Sequence, residues 1–314
     1  MSKNGLNGKS GRLDVRKTYK MLIGGAFVRS ESGRALDVEA PGGKWLGHVC
    51  RASRKDFRNA VVAARKAAAG WASTTAYLKG QILYRAAEMM EGRSSSLCEV
   101  LQSVGHSSAA AKSEVSQSID LLVYYAGWAD KYLQIFGSVN PVSSPYFNFS
   151  VTEPMGVVAY VAGEKRPLLD LVSGIAPIVV GGNSVITLST GRSAVAAMEL
   201  GEVLATSDIP HGVINLLCGL REELVGQMSS HMDVNALVVQ GGDEKEHATS
   251  REACALNLKR YFLKSQGSKC DEDPYRIMDT MEIKTTWHPV GGEVARRRGF
   301  FYPRFVRFLY SLIS

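Results

Sequence analysis

From residue 156 onward the chain alternates short apolar runs with amphipathic stretches. Runs near 156–162, 183–188, 213–217, 235–239 and 259–263 have the length and β-branched content of buried strands. Between them, residues 167–180, 193–206, 221–230 and 243–256 carry helical spacing. Gly212, Gly219 and the Gly241-Gly242 pair mark the joins. A parallel strand buried on both faces reads as an unbroken apolar run. This rhythm therefore predicts an α/β fold with a doubly wound parallel sheet.

The first half follows other periods. Residues 19–52 read as short strands broken by Gly and Pro. Ser53-x-x-Asp56 has the spacing of a capping box, opening a helix with Phe57, Ala60, Val61 and Ala64 on one face. A second helix over about 76–91 aligns Leu78, Ile82, Ala86 and Met89. A third, over about 109–136, aligns Val115, Ile119, Leu122, Val123, Ala126, Leu133 and Phe136. Its aromatic residues Tyr124, Tyr125, Trp128 and Tyr132 read as packing. Pro141 and Pro145 then predict a turn, and the alternating Phe147, Phe149 and Val151 a strand with one apolar face.

Charge narrows the partners. The chain carries +7 over 314 residues, but residues 1–20 hold +5 and residues 291–314 hold +4, leaving −2 on the body. A nucleic-acid-binding body would show a basic face, so this distribution argues against one. Five scattered cysteines without a CxxC pair predict free thiols, with no disulfide framework and no zinc site. With no apolar leader at the N-terminus, a cytoplasmic location is expected.

Several spaced motifs resemble the aldehyde dehydrogenase superfamily, from Ile23-Gly24-Gly25-x-Phe27-Val28 through Glu153-Pro154-x-Gly156-Val157-Val158 to Ile209-Pro210-x-Gly212-Val213-Ile214-Asn215. The resemblance covers about residues 20–268 and implies a Rossmann-type cofactor-binding domain with N-terminal helices, NAD or NADP as the cofactor and aldehydes as substrates. It also implies five functional positions, and each departs from the family's pattern. Lys165 stands where an asparagine amide would stabilise an oxyanion. The ribose-binding Lys-Pro-x-Glu reads Leu188-Ser189-Thr190-Gly191, where Ser189 and Thr190 can hydrogen-bond but suit a helix N-cap better. The pyrophosphate-binding turn keeps Gly241 and Gly242, but Asp243, Glu244 and Glu246 follow, which suits a self-capped helix. Lys264 occupies the place of the glutamate general base. Cys270 sits directly after that position, too early for the nucleophile, and only 44 residues follow it. The resemblance therefore leads us to expect a chain in which the catalytic domain is largely missing.

Thr280 to Pro289 resembles the closing strand of a tandem subfamily, aldehyde dehydrogenase family 16, whose second half is degenerate. The expected organisation is a disordered basic tail (1–18), a cofactor-binding domain (19–268), a remnant of the C-terminal oligomerisation strand (269–292) and a basic, aromatic tail (293–314). The degenerate positions, with no catalytic residue intact, imply a pseudoenzyme. It would act as a scaffold, forming a homo-oligomer or pairing with a full-length aldehyde dehydrogenase. Two alternatives remain: an NAD(P)-dependent oxidoreductase acting on aldehydes, and an adaptor touching membrane surfaces through residues 293–314.

Overall fold

The computed structural model describes residues 17–264 and 271–290. The tail 293–314, most of the tail 1–18 and Cys270 lie outside the described residues. Lys17 and Thr18 belong to the folded body. Lys17 pairs with Glu199 and Glu202 at 2.8 and 2.7 Å, and Thr18 begins the first strand.

That strand, β1 (Thr18–Tyr19), pairs with β5 (Trp45–Cys50), which also pairs with β4 (Ala35–Glu39) in a small sheet. The hairpin β2 (Met21–Ile23) and β3 (Ala26–Val28) joins the main sheet instead. Four helices follow: α1 (Arg54–Ser73), α2 (Ala76–Gly92), α3 (Ser94–Ser103) and α4 (Ser108–Trp128). The single turn α5 (Tyr132–Phe136) leads into β6 (Ser138–Asn140) and β7 (Tyr146–Pro154). The capping box forms as its spacing requires. Ser53 Oγ accepts from Asp56 N–H at 3.2 Å, and Asp56 Oδ2 accepts from Ser53 N–H at 2.7 Å.

The second half is the expected βαβ series: β8 (Val157–Val161), α6 (Pro167–Val180), β9 (Ser184–Ser189), α7 (Ser193–Leu204), β10 (Ile214–Cys218), α8 (Arg221–Ser230), β11 (Ala236–Gln240), α9 (Glu244–Ala255) and β12 (Arg260–Lys264). The main sheet runs β12-β11-β8-β9-β10-β2-β3, with the first five strands parallel. Every residue of β8, β9, β10 and β11 is buried. Right-handed crossovers place α6 and α7 on one face, and the return to the other half of the sheet places α8 and α9 on the opposite face.

The chain closes with α10 (Tyr275–Met278) and β13 (Met281–Pro289). β13 pairs antiparallel with β7 along its full length, from Met281 opposite Pro154 to Pro289 opposite Tyr146. Asn183, fully buried, joins this segment to the main sheet. Its Oδ1 accepts from Gly156 N–H at 2.8 Å, and its Nδ2 donates to Thr280 O at 3.0 Å.

Four details differ from the sequence reading. The helix expected over 109–136 is broken between Trp128 and Tyr132, and its buried side is carried by Leu121 and Tyr125 while Val123 and Leu133 face outward. Helix α3 was hidden behind its polar Ser94-Ser95-Ser96 start. On α2, Leu78 is exposed and Lys79 is buried, its Nζ donating to Ala72 O at 3.2 Å and lying over the Trp71 ring. Among the described residues the alternating side chains of β7 are only partly covered: Phe147 is 45% and Val151 36% exposed.

Candidate functional site

In an open α/β sheet the binding crevice lies at the carboxyl ends of the strands, where the strand order reverses. Here that point is between β8 and β11. Gly163 follows β8, and a Cβ there would lie 2.6 Å from Asp170 Oδ2 and 2.9 Å from Gln240 Cδ, so only glycine fits. Gly241 and Gly242 follow β11 with φ of 74° and 97° and turn the chain into α9. The sequence reading assigned Gly241 and Gly242 to the pyrophosphate-binding turn, and they form the turn between β11 and α9.

The crevice is lined by groups already engaged with one another. Asp243 caps α9, its Oδ1 accepting from Glu246 N–H at 2.7 Å. The Arg221 guanidinium pairs with Glu246 at 2.6 and 3.2 Å and donates to Gln240 O and Gly241 O at 3.2 and 3.1 Å. A pyrophosphate at this helix end would need free N–H groups and positive potential. It would meet a capping carboxylate and an arginine whose donors are committed. These residues do not fit a dinucleotide's pyrophosphate. The self-capped α9 was legible in Asp243; Arg221 was not, because its partner sits on another helix.

At the ribose position, Leu188 and Ser189 are fully buried at the end of β9, and Ser189 Oγ has no hydrogen-bond partner among the described residues. Thr190 hydroxyl donates to Glu164 instead. Neither residue caps a helix: α7 starts after Arg192 without a side-chain cap, and Ser193 Oγ donates to Thr190 O at 2.6 Å. The N-cap expectation for Ser189 and Thr190 is therefore corrected.

Lys165 is exposed on the loop after β8. Its neighbour Arg166 is the organised residue. It pairs with Asp170 at 2.9 Å and with Asp271 at 2.7 Å, fastening the loop to α6 and to the closing segment. The spacing Arg166-x-x-x-Asp170 was the available signal.

Lys264 ends β12, half-buried, and its Nζ donates to Ser173 Oγ on α6. Ser173 in turn donates to Asp170 O at 3.0 Å. The lysine borders a cavity of about 300 Å³ between α6, β12 and α10, whose wall includes Ser173, Pro177, Phe262, Arg276 and Asp279. Burial, reinforced by the Arg276 charge, brings the Lys264 ammonium down to about 7. Burial likewise pushes the Asp279 carboxyl up to about 6. Lys165 and Lys264 are thus not brought together: one faces water and the other a cavity. Among the described residues, no group of three His, Cys, Asp or Glu could hold a metal ion, and no helix is long and apolar enough to cross a membrane.

The profile described as "Aldehyde dehydrogenase family" matches residues 27–283. An aldehyde dehydrogenase from Davidiella tassiana is 30% identical over 251 residues, covering 79% of this chain and 50% of that protein. Retinal dehydrogenase 2 from Gallus gallus is 30% identical over 262 residues, covering 81% of this chain and 50% of that protein. Among solved structures, PnpE from Pseudomonas sp. WBC-3 superposes with a TM-score of 0.75 at 26% identity, over 80% of this chain and 51% of that one. PnpE has also been solved in complex with nicotinamide adenine dinucleotide. The chain spans about half the length of these relatives. With the profile covering most of its length and the Rossmann-type sheet in place, this chain belongs to the aldehyde dehydrogenase family.

Proposed function

We propose that this chain is a non-catalytic member of the family, acting as a scaffold or oligomer partner for a second copy or for a full-length aldehyde dehydrogenase. The observation that carries this reading is the closed N-terminus of α9, where Asp243, Arg221 and Glu246 satisfy one another at the place a cofactor's phosphates would need. The departures at Lys165, Leu188, Gly191 and Lys264 point the same way.

Apolar surface supports the partner half of the proposal. The three-stranded sheet β6-β7-β13 leaves Val139, Phe147 and Val151 exposed on one face, since Val139 and Phe149 are opposite in register. An exposed apolar stripe of this kind, bordered by Lys284 opposite Val151 and His288 opposite Phe147, favours association. The likeness of residues 280–289 to the closing strand of family 16 leads us to place the chain with that family's degenerate second half.

Two measurements test the reading. In an NADH fluorescence titration, no saturable change up to millimolar cofactor is expected. Saturable binding together with aldehyde-dependent NADH production would replace the scaffold with an NAD(P)-dependent oxidoreductase. In light scattering across protein concentrations, a mass above one chain is expected, alone or after mixing with a full-length relative. A monodisperse monomer indifferent to both would remove the partner role.

A further inference from the structure

We propose that Lys264 is a carbonyl-capturing nucleophile, its amine condensing with an uncharged aldehyde held in the cavity between α6, β12 and α10 to form a reversible imine. This goes beyond the scaffold reading and does not depend on it, since no nicotinamide cofactor and no hydride transfer are involved.

The geometry carries the inference. Among the described residues the Lys264 side chain hydrogen-bonds a neutral hydroxyl, that of Ser173, whose own proton goes to Asp170 O. Its Nζ lies 5.9 Å from the centre of the Tyr160 ring. The cavity beside it measures about 300 Å³, near the lower end of small-molecule sites, roughly 300–1,000 Å³. Pro177, Ile178, Val238, Phe262 and Leu263 give it an apolar floor. Its charged wall carries both signs, with Arg276 lying 3.8 Å from Asp273 and with Asp279 also lining it. A small aliphatic or aromatic aldehyde matches that chemistry.

The groups facing the amine set its protonation. Arg166 and Asp170 lie on and beside α6, Asp271 and Asp273 precede α10, and Arg276 sits on it. Burial is the largest influence and Arg276 adds repulsion, bringing the ammonium to about 7. A solvated lysine near 10.4 has roughly a thousandfold less neutral amine at pH 7. A desolvated lysine in an apolar pocket is a general route to an activated amine nucleophile.

The step balances without an oxidant. The Nζ lone pair attacks the carbonyl carbon, and the C=O π pair moves to oxygen, which takes up one proton. Nitrogen releases one proton, giving the carbinolamine. Protonation of the hydroxyl lets it leave as water while the nitrogen lone pair forms C=N. One amine and one aldehyde give one imine and one water. Asp279, on the same cavity and pushed up to about 6 by burial, is the carboxyl able to exchange these protons near neutrality.

The test uses the whole chain with benzaldehyde and sodium cyanoborohydride, which fixes an imine as a benzylamine, followed by peptide mass mapping. Lys264 is expected to be labelled about tenfold or more above the mean surface lysine at pH 7, the gain in neutral amine being discounted for weaker basicity. Its labelling should reach half-maximum near pH 7, whereas surface lysines keep rising above pH 9. Lys264→Arg should lose that adduct alone. Asp279→Asn should slow trapping several-fold with the site unchanged; an unchanged rate would strike Asp279 from the proposal. Labelling of Lys264 at or below the surface average in the unaltered protein would overturn the proposal whatever the variants' folding, and would leave the scaffold reading untouched.

Discussion

Arg221 and Glu246, 25 residues apart on consecutive helices, form a two-point ion pair at 2.6 and 3.2 Å directly over the start of α9. Both side chains are largely buried, 18% and 22% exposed. The pair is therefore less screened by water than a surface pair, and removing one partner leaves the other charge stranded.

Arg221→Ala is expected to destabilise the protein by about 2 kcal/mol, since Glu246 loses its partner and two backbone carbonyls lose a charged donor. Urea unfolding reads this directly. The double variant Arg221→Ala with Glu246→Ala should cost less than the sum of the single variants. Strict additivity would show that the two side chains are not coupled.

Asn183→Ala should cost about 2 kcal/mol, because the Gly156 N–H is left without its partner and the Thr280 carbonyl keeps only the Met155 N–H at 3.5 Å. The closing segment should also loosen. Limited proteolysis after residue 270 is then expected to accelerate relative to cleavage elsewhere; uniform acceleration would argue against a local tie.

Asp56 supplies an acid-sensitive cap. Burial pushes its carboxyl upward, but hydrogen bonds from Ser53 N–H, Ser30 Oγ and Glu31 N–H outweigh this and hold it below the usual range. A carboxyl lower in the folded state stabilises above its unfolded pKa of about 3.9 and loses that contribution as pH falls through the folded value. Asp56→Ala should cost about 1 kcal/mol at pH 7. The gap between wild type and variant should narrow at pH 3, as followed by helical circular dichroism during urea unfolding.

Lys264 predicts a slope of the same sign at higher pH, through a penalty that fades rather than a stabilisation that is gained. Its folded pKa, about 7, lies below that of a solvated lysine, so the protonated form is penalised in the fold. The penalty is full below about pH 7 and fades as pH rises towards about 10. Lys264→Met should therefore stabilise more at pH 6 than at pH 9.5 in thermal melts. Equal gains at both values would place the ammonium in water.

Phe147→Glu with Val139→Glu puts two charges on the uncovered face of β7 and β6. The mass measured by light scattering should fall to that of one chain while the circular dichroism spectrum stays unchanged. An unaltered mass would move the contact elsewhere.

The parallel sheet was legible because strands buried on both faces are largely apolar, as Val157–Val161 is and as Ile214–Cys218 is apart from Asn215, whose amide donates to Val185 O and Gly212 O. The Asp56 and Asp243 caps were legible because a cap is a local arrangement, read within three or four residues. Burial of Lys79 was not, because only the Trp71 ring and the Ala72 carbonyl, placed by folding, make it tolerable. Lys264 was visible as a charge in an unexpected position. Its cavity was not, since Arg276, Asp279 and Thr280 arrive from beyond the edge strand, and no period in the sequence reports that approach.

The full-length pairing of β13 with β7 has an evolutionary consequence. β12 is held by β11 and β13 by β7, so each strand keeps its register independently of the chain between them. Chain inserted or removed between β12 and β13, outside either strand, leaves both ladders intact. The fold therefore has a modular joint at that point, where a lineage could shed or acquire a whole domain and still inherit a closed, cooperative body.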